Sequence, residues 1–203
     1  MNKQIIPPWL EDWYRGLIDP VTQWAIRQKI DPNILTAISL GITAVSAVFL
    51  YNGHLRVGGV LILLGGTFDI LDGAVARATN RSSTFGALWD SALDRYAEFL
   101  IFFGLLFYFL HRGLFFHQTA IMAICWALTG SMMVSYVRAR AEGLGLECKV
   151  GLMQRPERVV LLGFGAIFHE SVLTFFIVII AVFANFTAVQ RIHHVWSATR
   201  RDV

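Results

Sequence analysis

Residues 68–95, FDILDGAVARATNRSSTFGALWDSALDR, decide how this chain is read. The stretch carries four aspartates, Asp69, Asp72, Asp90 and Asp94, and apolar runs flank it on both sides. Asp69 and Asp72 are three residues apart and Asp90 and Asp94 are four apart, so each pair lies on one face of a helix. Between the pairs, ARATNRSSTFG contains Arg77, Asn80, Arg81, Ser82 and Ser83 and reads as a turn at a membrane surface. The expected unit is two antiparallel neighbouring helices whose aspartate faces converge one or two turns below that surface. A charged carboxylate in a membrane helix costs about 3 kcal/mol, so such residues mark a functional site by default.

The rest of the chain supplies the membrane setting. Of its 203 residues, 56% are hydrophobic and 15% charged, and the mean hydropathy is +0.57. Globular chains run about 45–50% apolar and about 25% charged. Six apolar runs stand out, at 33–51, 55–77, 84–110, 114–139, 156–168 and 172–189. Lipid leaves no partner for an open backbone, so these are expected to be helices. The fifth is short for a span, and either tilts or lets Arg155 and Arg158 snorkel to the interface. Of the 17 Lys and Arg, fourteen fall on one side of this arrangement, only Arg56 and Arg112 on the other, and Arg95 inside the third run. That bias predicts six spans with both termini cytoplasmic, in the cell (inner) membrane.

Ahead of the first span, Trp9, Leu10, Trp13 and Leu17 recur at helical spacing, with Glu11, Asp12 and Arg15 between them. This reads as an amphipathic interfacial helix over 7–30, with Trp9, Trp13 and Trp24 at headgroup level. A soluble cap packed on the bundle is the rival. The fold class is therefore all-α: one domain over 1–203, an interfacial helix and then a six-helix membrane bundle over 33–195. No cleavable signal peptide is expected, because Glu11, Asp12 and Asp19 interrupt any N-terminal apolar core. Gly59, Gly66 and Gly73 are seven apart and share one face of the second span, for close packing or for ligand space near Gly73. The two cysteines, Cys125 and Cys148, read as packing and incidental.

Converging carboxylates do not all stay ionised without cations. The acidic cluster has neither His nor Cys, and hard oxygen ligands suit Mg²⁺, Mn²⁺ or Ca²⁺. Two ions would account for four carboxylates and leave positions for a phosphate-bearing substrate. Gly73 and Ala76 keep the Asp69/Asp72 face open, Arg77 at the helix end is placed to meet a phosphate, and Gly86 opens the third span across the cleft. An Asp/Arg structural network and a proton or cation pathway are the alternatives.

As a pattern, the stretch is D-x-x-D-G-x-x-A-R, eight residues, G-x-x-x-D-x-x-x-D. It resembles the signature of the CDP-alcohol phosphotransferase family at every fixed position. The resemblance implies an enzyme that transfers a substituted phosphoryl group from a CDP-linked donor to an alcohol and releases CMP. It implies Asp69, Asp72 and Asp90 as ligands of Mg²⁺ or Mn²⁺, with Asp94 a further ligand, the general base, or both. It implies Gly73, Ala76 and Arg77 as contacts of the CDP moiety. PNILT, at the start of the first span, looks like a family element near the nucleotide, which adds Asn33 and Thr36; Asn33 is otherwise a helix cap. CDP-diacylglycerol and a phosphorylated alcohol are the expected partners, with membrane lipids around a homodimer and no nucleic acid.

The acceptor is read from SYVRARAEGLGLECKVGLMQRPERVVLLG, residues 135–163. Arg138, Arg140, Arg155 and Arg158, with Arg191 in the last span, suit an acceptor that carries its own phosphate; a loop binding anionic lipid headgroups is the alternative. Glu142 is expected to pair with Arg138 four residues back. The pattern resembles the family branch that uses inositol phosphate, which implies Ser135, Arg138, Arg155, Arg158 and Arg191 around the acceptor. It departs from that branch at Arg138 and Gln154, where lysine and glutamate are common. Glycerol 3-phosphate would tolerate the same cluster.

Overall fold

The computed structural model describes residues 8–79, 83–113 and 117–200. They form seven helices: α1 (Pro8–Arg27), α2 (Pro32–Tyr51), α3 (Leu55–Ala78), α4 (Thr84–His111), α5 (Gln118–Gly143), α6 (Arg155–Phe168) and α7 (Glu170–Thr199). Among the described residues, every apolar run of the sequence falls on a helix. The last helix continues ten residues past its apolar run, as far as Thr199. Asn80, Arg81, Ser82 and Leu114, and the side chains of Leu10, Glu11, Asp12 and Arg15, lie outside the described residues.

Local chemistry sets the helix starts. Asp31, in extended conformation, accepts from the Asn33 backbone N–H at 2.8 Å, and Pro32 opens α2. The cap is therefore Asp31, not Asn33. Ser83 caps α4 by accepting from the Gly86 N–H at 2.9 Å. His169 breaks α6 from α7, and its Nδ1 accepts from the Ser171 N–H at 3.2 Å.

Helix α2 organises the first half of the bundle. It packs on both α3 and α4, whereas α3 and α4 are not among the closely packed helix pairs. The expected neighbours are thus held apart by a common backing helix, and a cleft is left between their aspartate ends. Small residues on α2 explain why. Ser39 donates to Gly65 O at 2.9 Å and Ser46 donates to Gly58 O at 2.8 Å. On its other side, a Cβ on Gly104 of α4 would lie 2.7 Å from Ala47 O. Such interhelical hydrogen bonds contribute about 0.6 kcal/mol each.

In the second half, α5 packs on α7 and α6 bridges α7 to α3. The α3–α6 crossing is close because a Cβ on Gly59 would sit 2.6 Å from Gly163 O. A Cβ on Gly66 would meet Val159 at 2.9 Å, whereas one on Gly73 would meet only the Arg77 guanidinium. The shared glycine face therefore divides, with Gly59 and Gly66 packing on α6 and Gly73 facing the cleft. The core between the halves includes Phe102, Leu105, Ile124, Leu162, Leu173 and Ile177.

Among the described residues, α2, α3, α5 and α7 are long and apolar enough to cross a membrane. Helix α4 has 28 residues, but Asp90, Asp94, Arg95 and Glu98 lie within its first fifteen. Helix α6 has 14 residues, about 21 Å of rise, against a hydrocarbon core of about 30 Å. Large apolar side chains such as Val48, Phe103, Trp126, Phe175 and Phe186 point outward, as a lipid-facing surface requires. Helix α1 turns Ile18 and Ala25 inward and pairs Tyr14 with Thr67 of α3, while Trp9, Trp13, Leu17 and Trp24 stay exposed. It is both docked on the bundle and apolar on its outer side.

Candidate metal and substrate site

The cleft is built from the C-terminal half of α3, the N-terminal half of α4 and the start of α6. Asp69, Asp72 and Asp90 bring one carboxylate oxygen each within 4.8 Å of one another. Asp72 is 5% exposed, and its Oδ2 has no hydrogen-bond partner. A buried, unpartnered carboxylate oxygen is costly unless a cation completes it. Three carboxylates and no nitrogen or sulfur donor make a set for a hard divalent ion.

Asp94 is not one of this close-set triad, although it lies beside Asp69. Its carboxylate is paired with Arg155 at 2.7 Å and with Arg95 at 3.4 Å. The same Arg155 nitrogen reaches Asp69 at 2.5 Å, so α6 delivers one guanidinium across the mouth of the cleft. Four carboxylates therefore face two internal arginines before any ion arrives.

Further along α3, Ala76 is half-buried, Arg77 is exposed and its guanidinium folds over Gly73. Asn33 approaches the start of α4, where its Oδ1 would lie 3.4 Å from a Cβ on Gly86. Thr36 is buried, and its hydroxyl donates to Pro32 O at 3.1 Å. Beside them a cavity of about 500 Å³, lined by Ile34, Ile38, Phe85 and Trp89 among others, opens on the outer face of α2 and α4.

The arginines grouped by sequence divide into distinct roles. Arg138 pairs with Glu142 at 2.8 Å on the surface, and Ser135 lies half-buried on the same helix. Arg158 is 1% exposed and donates to Glu98 through Nε and Nη2, at 2.6 and 3.2 Å, while its Nη1 donates to Met153 O at 3.1 Å. Arg191 is buried and donates to Val150 O at 2.8 Å and Val134 O at 2.6 Å. Arg158 and Arg191 thus fasten the 144–154 connection, and Arg155 alone of the three faces the carboxylates. Gly151 completes the fastening: its φ of +133° suits glycine, and a Cβ there would clash with Thr187 at 2.3 Å. Cys148 lies in the same connection, fully buried, and burial pushes its thiol pKa up, as an inert cysteine requires.

Glu98 escaped the sequence reading. Its signal was present, because it follows Asp90 and Asp94 at the same four-residue interval.

The CDP-alcohol phosphatidyltransferase family matches residues 29–198. The chain belongs to this family. It is a transferase of phospholipid biosynthesis. An archaetidylinositol phosphate synthase of Methanothermobacter thermautotrophicus is 34% identical over 186 residues, covering 90% of each chain. A phosphatidylinositol phosphate synthase of Mycobacteroides abscessus is 33% identical over 189 residues, covering 90% of this chain and 84% of that one. Among solved structures, the Mycobacterium tuberculosis phosphatidylinositol phosphate synthase with CDP-DAG bound superposes with a TM-score of 0.78 at 30% identity, covering 87% of this chain and 92% of that one. The same enzyme in complex with manganese and citrate gives 0.77 at 30% identity, covering 87% and 88%. A divalent-metal site at the aspartates of the present chain agrees with that complex. Membership of a transferase family also removes the motive for a proton or cation pathway.

Proposed function

We propose that the protein transfers the phosphatidyl group of CDP-diacylglycerol, or the equivalent group of an ether-linked donor, to inositol phosphate and releases CMP. The observation that carries it is the Asp69/Asp72/Asp90 triad with its unpartnered buried oxygen, facing a guanidinium that a phosphate competes for. The inositol phosphate acceptor is supported by the relatives, whose names share it although their lipids differ. Glycerol 3-phosphate remains the second anionic acceptor to test.

Asp69, Asp72 and Asp90 would hold Mg²⁺ or Mn²⁺, which supplies positive charge for the donor pyrophosphate. Gly73, Ala76 and Arg77 would bind the cytidine phosphate end, with Asn33 and Thr36 closing the α2 side. The donor's tails would stay in the membrane, with an acyl chain resting on Ile34, Ile38, Phe85 and Trp89 of the adjoining cavity. Asp94 takes the proton of the acceptor hydroxyl as general base. The acceptor oxygen forms a bond to the lipid-bearing phosphorus, and the bond from that phosphorus to the CMP oxygen breaks. Asp94 cannot do this while paired with Arg155. Arg155 would therefore swing from Asp69 and Asp94 to the acceptor phosphate, assisted by Arg138 and Ser135. Arg158 and Arg191 would support that pocket from behind through the 144–154 connection.

Charge bookkeeping supports an order of binding. Four carboxylates, Arg155 and Arg95 leave a net charge that one divalent ion neutralises. Asp94 would be a ligand of any second ion, once free of Arg155, and would also serve as the base. We place this site on the cytoplasmic side of a single domain over 1–203, with six spans, both termini cytoplasmic and two chains per assembly.

The test uses purified protein, CDP-diacylglycerol and Mg²⁺ with inositol phosphate, glycerol 3-phosphate, serine and free inositol in parallel. Inositol phosphate should give the fastest CMP release and a lipid carrying a second phosphate. Faster turnover with free inositol or serine would overturn the acceptor assignment.

A further inference from the structure

A second polar cavity lies at the end of the bundle remote from the aspartates. It measures about 400 Å³ and sits between the α2–α3 turn, the end of α4 and the α6–α7 turn. Arg56 and Arg112 both line it, with His54 and His169. Among the described residues these are the only Lys or Arg at that end of the bundle. A membrane protein that concentrates its basic residues at one end has no general reason to gather its two exceptions in one cavity.

The acidic group at this end does not account for them. Glu170 accepts from Tyr108 and Arg112 on Oε2 and pairs with His117 on Oε1 at 2.9 Å. Its two oxygens are thereby satisfied on the α4–α5 side of the cavity. Arg112 also lies over the Tyr108 ring, 4.8 Å from its centroid, which fixes the guanidinium at the rim. Arg56 has no ion pair among the described residues, so the cavity keeps a net positive charge. Its remaining wall is apolar, with Val57, Ala166 and an exposed Phe168.

We propose that this cavity binds the phosphate of an anionic lipid headgroup in the leaflet opposite the active site. Arg56 is the principal contact, and the Arg112 rim assists. A guanidinium presents a planar fork of donors that matches phosphate oxygens. The apolar wall favours a lipid over a soluble phosphate, because the glycerol end has Val57 and Phe168 to rest on. The site is independent of the proposed reaction and shares no residue with it.

The experiment is native mass spectrometry of the full chain in detergent, incubated with phosphatidylglycerol or phosphatidylcholine. A parallel thermal-unfolding series uses inorganic phosphate. Wild type should retain phosphatidylglycerol and not phosphatidylcholine. Arg56→Gln should weaken that retention about tenfold, the value of one charge-assisted hydrogen bond, and Arg56→Lys should largely restore it. Unchanged metal-dependent CMP release in Arg56→Gln shows that the variant is folded. Stabilisation of wild type, but not of Arg56→Gln, by inorganic phosphate would keep the phosphate site and make its occupant soluble. Equal retention of both lipids, or phosphatidylglycerol retention indifferent to Arg56→Gln, would overturn the proposal.

Discussion

At the residue scale, the account turns on which carboxylates hold cations and which one handles a proton. Asp72 is the strongest ligand candidate, being buried with an Oδ2 that has no hydrogen-bond partner. Asp72→Asn keeps the size and removes the charge. It should abolish metal-dependent CMP release and lower Mn²⁺ affinity measured by electron paramagnetic resonance. Asp94→Asn should leave the first ion in place and cut kcat by about 10² to 10⁴, the usual worth of a general base. Equal loss of first-ion affinity in both variants would contradict the separation of Asp94 from the triad. The four aspartates were legible in the sequence because charge in an apolar helix is conspicuous. The division between them was not, since it depends on where α6 delivers Arg155.

At the scale of elements, the decisive contact is the buried Glu98–Arg158 pair, which fastens α6 to α4 one turn beyond Asp94. Removing one partner leaves an uncompensated charge and costs about 3–5 kcal/mol, whereas replacing both with apolar residues is often neutral. Glu98→Gln should therefore lower the Tm markedly, and Glu98→Leu with Arg158→Met should recover much of it. If Arg158 served only to bind the acceptor, the double variant would be no more stable than the single one. The α3–α6 crossing gives a second test. Gly59→Leu should reduce the Tm or the yield of folded protein, since the backbone of Gly163 occupies the space of its side chain. Helix positions were readable from apolar runs, turn residues and prolines. That α2 separates α3 from α4 was not, because small residues signal close approach without naming the partner. The basic residues of 135–163 looked like one cluster for the same reason: a linear pattern does not show that Arg158 and Arg191 turn inward to Glu98 and to backbone carbonyls.

At the scale of the whole molecule, the expected topology is six spans, although α4 carries charge in its first half and α6 is short. Both are tolerable because their polar ends meet in the cleft rather than in lipid. Single-cysteine variants at Asn52 and Gly145, in a chain whose Cys125 and Cys148 are replaced, should react with a membrane-impermeant maleimide from opposite faces of sealed vesicles. Labelling from the same face would break the six-span arrangement. On the proposed mechanism, inositol phosphate should also bind more tightly once metal and donor are present, since these would free Arg155 from Asp69 and Asp94. The central claim, that the aspartate cleft is a divalent-metal centre for transfer from a CDP-linked lipid, is tested most directly by CMP release from the purified full chain with CDP-diacylglycerol and inositol phosphate. Release should stop on chelation and return with Mg²⁺ or Mn²⁺; undiminished release after chelation would contradict it.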